Sequence, residues 1–190
     1  MPSIPSMLIL ALWIAWVVYW CIASFGTRAV RRRESTASRL SHAVPLIIGV
    51  ALLAPPRLGS VWLSRHVLSP TPLIGWIGFA LVAAGIVFSV WARRHIAGWW
   101  SSDVTLKQGH QLIRSGPYRY ARHPIYTGLI LALLGTAISI GEWRGFLGVL
   151  AITLAFLRKI QIEESFLTEA FPSDYARYRV EVAALIPFLY

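Results

Sequence analysis

The sequence predicts an all-α, polytopic membrane protein with five transmembrane helices, and three observations carry that prediction. Hydrophobic residues make up 56% of the chain and charged residues only 14%, well below the roughly 25% charged that soluble domains carry. A chain of 190 residues is one domain by length and cannot bury that much apolar surface in its own core, so lipid must solvate much of it. Five apolar runs can be read, with most of the Lys and Arg between them.

The first run, Ile4 to Phe25, is long enough to span a bilayer at about 1.5 Å per residue. It has no cationic leader and exceeds a secretory core, so it reads as a retained helix. The second, Val44 to Ser64, contains Pro55-Pro56, which should break, kink or end the helix. The third runs from Pro72 to Ala92, with proline suited to a first helical turn. The fourth, Pro124 to Ile140, is short, and the fifth, Trp143 to Leu157, follows after only Gly141-Glu142. These last two should form a tight hairpin. From Gln161 to Arg179, apolar residues recur at near-helical spacing on either side of Pro172. That pattern reads as a pair of amphipathic helices lying along the membrane. The polar stretches show no strand alternation, so no strand is expected. Residues 1–92 then form a three-helix N-terminal part and 93–190 a second part.

Charge sets the orientation. The loops after the first, third and fifth runs hold five, six and four Lys or Arg, fifteen of the eighteen in the chain. The positive-inside rule puts those loops and the C-terminus in the cytoplasm and the N-terminus outside. An even number of crossings would spoil the partition. The expected home is the inner membrane for a bacterial chain and the endoplasmic reticulum for a eukaryotic one.

The net charge of +10 could suggest nucleic acid, but cations placed between apolar runs fit topology and anionic lipid headgroups better. The single cysteine, Cys21, excludes an internal disulfide. His42, His66 and His95 show no metal-ligand spacing and receive no role. The sequence lacks the glycine fingerprint of a Rossmann nucleotide site.

One stretch is dense in groups that bond, stack or carry charge. It runs from Lys107 through His110, Arg114, Tyr118, Arg122 and His123 to Pro124, Tyr126 and Gly128. Pro124 marks a helix start, whose free N–H groups and partial positive charge suit a carboxylate. The hairpin should return the chain to the same side at Arg158, Lys159, Glu163 and Glu164, bringing the acids near His123. Adjacent residues on a helix face different ways, so one of the two acids at most should face a site. The plain alternative is an interfacial pairing of those acids with Arg158 and Lys159.

These residues resemble a known family. Gly116-Pro117-Tyr118-Arg119-Tyr120, Arg122-His123-Pro124-Ile125-Tyr126-Thr127-Gly128, Glu163-Glu164 and Tyr175-Ala176-Arg177-Tyr178 are similar to the isoprenylcysteine carboxyl methyltransferases, part of a wider group that includes phospholipid methyltransferases. The likeness covers roughly residues 90 to 190. It implies S-adenosyl-L-methionine as methyl donor in a cytoplasmic pocket. Carried across by motif position, the donor would meet His110, Gln111, Leu112, Ile113 and Tyr118, then His123, Pro124, Ile125, Tyr126 and Glu163. The family's substrate-binding arginine falls at Lys159, with Arg158 beside it. The family's paired prolines near the end are reduced here to Pro187.

The resemblance implies a lipidic acceptor, first a prenylcysteine carboxylate, with a phospholipid amine or a small thiol as alternatives. It implies membrane lipids as partners, and neither nucleic acid nor metal. Two other classes stay open on the residues alone: an NADPH-dependent membrane reductase of the sterol type, and a non-enzymatic membrane protein.

Overall fold

The computed structural model describes residues 3–25, 30–54, 62–97, 105–107 and 112–186. Helix α1 (Ile4–Ser24) starts where the Ser3 hydroxyl accepts from the Ser6 amide and Pro5 occupies the first turn. Its outer face presents Ile4, Met7, Leu10, Ile14, Val17, Val18 and Ile22 to the surroundings. In water that surface would be untenable; in a bilayer it is the ordinary condition of a spanning helix. Its inner face is fastened by indoles: Trp13 donates to Thr136 at 3.0 Å and Trp16 to Ser89 at 3.2 Å.

Strand β1 (Val30–Arg33) pairs antiparallel with β2 (Thr105–Lys107). This corrects the expectation of no strands. Segments of three and four residues are too short to display alternation, yet the ladder ties the loops after the first and third helices together.

Helix α2 (Thr36–Leu53) begins eight residues before the expected Val44 and ends before Ser64. The Ser35 side chain accepts from the Ser38 amide and so starts the helix in a polar stretch. Pro45 is carried inside it. Pro55-Pro56 lies outside the described residues. Helix α3 (Pro72–Ile96) opens with a Thr71 cap and Pro72 in its first turn, as expected, and runs one turn past Ala92. There the buried Arg93 donates to the carbonyls of Ala97 (2.6 Å) and Ala23 (2.5 Å), clamping the ends of α3 and α1 together.

Helix α4 (Pro124–Ile140) and helix α5 (Trp143–Ala170) form the expected hairpin. Gly141 makes the turn at φ +70, a left-handed conformation that costs glycine nothing. The fifth helix does not stop at Leu157; it continues unbroken to Ala170, so the acids sit on the same helix as the membrane span. Pro172 then opens α6 (Pro172–Glu181).

Packing rests on small residues. α3 and α4 run antiparallel with Gly78 against Gly135 and Gly85 against Gly128 and Ala132. α2 and α5 run antiparallel with Gly49 against Gly148 and Ile152. Close approach through glycine is how helices associate where lipid removes the hydrophobic drive. Among the described residues four helices, α1, α2, α3 and α5, are long and apolar enough to cross a membrane; α4 is apolar but has 17 residues.

Candidate active site

The site grows from the junction before α4. Gly116 adopts φ +59, and a Cβ there would lie 2.6 Å from the His95 ring, so the turn requires glycine. It directs Tyr118 inward, where the residue is 7% exposed. Tyr178 of α6 donates its hydroxyl to the Tyr118 carbonyl at 2.5 Å. Burial pushes the Tyr118 hydroxyl well above the usual range, and the nearby Glu163 charge adds to it. The chain's tail closes over this junction. The amides of Arg122 and His123 donate to Ala183 and Ala184, each at 2.9 Å, and Thr127 Oγ1 donates to Leu185 at 2.7 Å.

His123 stands at the start of α4 between the two acids of α5. Its Nδ1 lies 3.3 Å from Glu163 and its Nε2 3.3 Å from Glu164. A neutral imidazole has one N–H, so two facing carboxylates favour the doubly protonated ring. Burial opposes that charge, but the Glu163 and Glu164 carboxylates outweigh it and raise His123 above its ordinary value. Tyr126, one turn on, donates its hydroxyl to Glu163 at 2.5 Å. Its ring stacks with those of His123 and Phe156, at 5.8 and 4.8 Å between centroids.

The adjacent acids divide their partners. Glu164, 12% exposed, receives Arg122 at 2.8 Å and Arg179 at 3.5 Å. It binds α5 to the junction and to α6. Glu163 is 23% exposed and turns to Tyr126 and Lys159. Both acids reach His123, because the ring lies between them rather than to one side; Glu163 is the one that also reaches Tyr126 and Lys159. Of the plain pairing of the acids with Arg158 and Lys159, the Lys159 half is present beside Glu163, while Arg158 bonds elsewhere.

The two cations separate. Lys159 Nζ sits 5.9 Å over the Tyr126 ring. Arg158 turns away to Ser41 (3.2 Å) and Gln161 (3.4 Å). Of the other sequence-derived residues, Pro124 and Ile125 are buried at the helix start, and Leu112 and Ile113 are partly buried, Ile113 against the core that holds Tyr118 and Phe156. His110 and Gln111 lie outside the described residues. Sequence reasoning missed the structural use of Arg122, which joins Glu164 to the tail carbonyls, and of Thr127 and the tail, whose carbonyl contacts carry no sequence signal. Among the described residues no three His, Cys, Asp or Glu side chains group as metal ligands.

A family model for phospholipid methyltransferases matches residues 73–174, more than half the chain. The chain belongs to that family. The phospholipid methyltransferase segment begins in α3 and ends in α6, so it contains every group from Tyr118 to Glu164. Curated relatives agree with the motif resemblance. The protein-S-isoprenylcysteine O-methyltransferase of Schizosaccharomyces pombe is 34% identical over 84 residues, 42% of this chain and 34% of that protein. The Saccharomyces cerevisiae protein of the same name is 30% identical over 81 residues, again 42% and 34%. The cobalt-zinc-cadmium resistance protein CzcN of Cupriavidus metallidurans is 32% identical over 93 residues, 48% of this chain and 42% of its own. The matches to the two yeast proteins thus span about a third of those relatives' length.

Proposed function

We propose that the protein is an integral membrane methyltransferase that uses S-adenosyl-L-methionine and methylates the carboxylate of a prenylcysteine-like lipidic acceptor at the cytoplasmic face. Five crossings, with the N-terminus outside, complete the reading. The observation that carries it is the meeting of the α4 start with the acid end of α5: His123, Tyr126 and Glu163 share one patch, with Lys159 above the Tyr126 ring.

These residues suit the donor. No side chain caps the first turn of α4, so its amides and partial positive charge are available to a carboxylate. Glu163 offers an anion for an amino group. Tyr118 and Tyr126 supply aromatic walls, with Leu112 and Ile113 beside them. When bound, the donor supplies a methyl group activated on a sulfonium sulfur. The chain's part is positioning. An in-line displacement needs the acceptor aimed at the methyl carbon. A carboxylate is already nucleophilic at neutral pH, so it requires no base. Lys159 aims it, and Arg158 braces α5 against α2. A shielded pocket keeps water from the methyl group. A phospholipid amine is the second reading, favoured by the family's description.

Membranes carrying the protein, given labelled donor with N-acetyl-S-farnesylcysteine, phosphatidylethanolamine and a small thiol in separate reactions, should label the prenylcysteine. Glu163→Ala and Tyr126→Phe should lower turnover by roughly 10- to 100-fold, the value of a hydrogen bond to a charged group. Wild-type turnover in both variants at equal expression would remove the assigned site.

A further inference from the structure

Outside the segment that matches the family, α2 begins at a buried acid–base pair that the reading above leaves unused. The Glu34 side chain is 1% exposed and that of His42 9%. Glu34 accepts from Ser38 Oγ at 2.8 Å, and His42 Nε2 lies 3.0 and 3.2 Å from its two oxygens. A carboxylate accepts and cannot donate. Nε2 therefore carries a hydrogen, and Nδ1 is the nitrogen left to meet another group.

Register shows which level of the bundle that ring occupies. α2 and α5 are antiparallel and touch at Gly49, where a Cβ would sit 2.4 Å from Ile152 Cγ1. His42 is seven residues before Gly49, and Lys159 is seven residues after Ile152. Seven residues are about two helical turns, so each lies on the same stripe as its contact residue. In antiparallel helices both steps lead to the same end. The Ser41–Arg158 contact, 3.2 Å, is the neighbouring pair and fixes the register there. His42 and Lys159 thus share one level of the α2–α5 seam. The Lys159 ammonium lies over Tyr126.

We propose that His42, oriented by Glu34, is an acceptor-binding residue that grips the acceptor's carboxylate jointly with Lys159; this rests on the methyltransferase reading. An ammonium is a point charge on a flexible stem and cannot fix the plane of a carboxylate as a guanidinium fork does. Held by Lys159 alone, the acceptor would pivot out of line with the methyl group. Nδ1–H from the facing helix supplies the second donor, and two donors fix the direction of attack. The ring takes up its second proton from solvent as the acceptor's carboxylate arrives, and the Glu34 carboxylate lies against the imidazolium so formed. Being buried and already bonded to Ser38 and His42, it does so without presenting a bare charge to the pocket.

The test uses the full chain in detergent or nanodiscs. N-acetyl-S-farnesylcysteine is titrated without donor, and S-adenosyl-L-methionine is titrated separately by calorimetry. His42→Ala should weaken the prenylcysteine by about tenfold, as for loss of one charge-assisted bond, and leave donor affinity unchanged. His42→Gln, whose amide can still donate, should recover part of the loss. Glu34→Ala should match His42→Ala, and the double variant should be no worse than either, since both remove one unit. Unaltered prenylcysteine affinity in a His42→Ala protein that melts like wild type overturns the proposal, as do losses that add. Wild type that binds donor but not the prenylcysteine also overturns it and leaves the methyltransferase reading standing. Wild type that binds no donor removes both.

Discussion

His123 holds a proton between two carboxylates, and that fact makes stability depend on pH in a definite sense. Its native value is raised, so the folded state binds the proton more tightly than the unfolded chain does. The stabilisation is complete below the unfolded value of about 6.5 and is lost as pH rises through the higher native value. Thermal melts in detergent should therefore decline as pH rises above about 6.5. His123→Gln should flatten the decline; an identical slope in the variant would mean that the proton is held elsewhere. At this scale the sequence was legible where chemistry clusters along the chain. Tyr118, His123, Tyr126 and Glu163 meet because a hairpin joins two short motifs, and both motifs are visible. Glu34 and His42 were not legible, because an acid and a histidine eight apart become partners only when a Ser35 cap starts a helix where hydropathy shows none.

At the scale of elements, glycine stripes decide the packing. Gly85 of α3 sits so near α4 that an added Cβ would lie 2.4 Å from the Gly128 carbonyl and 2.5 Å from the Ala132 amide. Gly75, on the same helix, would place a Cβ 3.3 Å from the Pro5 side chain, a contact that a ring can yield to. Helix propensity alone favours alanine at both positions by about 0.5–1 kcal/mol. Overpacking against backbone costs about 1–3 kcal/mol, so packing wins at Gly85 and propensity at Gly75. Gly85→Ala should lower the melting temperature while Gly75→Ala leaves it unchanged or raises it. Equal effects would show that α3 and α4 are not in close contact there. The ends of elements were legible where a proline or glycine marks them, as at Pro72, Pro124, Gly141 and Pro172. They were misjudged where hydropathy was the only guide. α2 starts in polar sequence, and α5 runs through Arg158 to Ala170, because backbone hydrogen bonding does not end where the lipid does.

For the molecule as a whole, the arrangement of helices and the placement of charge agree. On the proposed reading of five crossings, the α1 end clamped by Arg93, the β1–β2 ladder, the α4 start and the acid end of α5 are all reached after an odd number of crossings from the N-terminus. That reading puts them on one side, the side that carries fifteen of the eighteen cations. A helix of 17 residues, about 25 Å long, is short for a full crossing, so α4 is the element on which the count of five depends. Were it only to dip into the bilayer, its Gly141 end would not reach the outer face and the turn of the hairpin would be shielded from both solutions. The single native cysteine makes this directly measurable. In a Cys21→Ser background, Ser3→Cys and Glu142→Cys should react with a membrane-impermeant maleimide added outside intact cells. Ser173→Cys, on exposed α6, should react only after permeabilisation. Labelling of position 173 from outside would reverse the orientation and put the proposed site on the wrong side of the membrane for a cytoplasmic donor. Protection of position 142 with normal labelling of position 3 would reduce the count to three full crossings and a re-entrant hairpin, while leaving the His123–Glu163 patch on its assigned face.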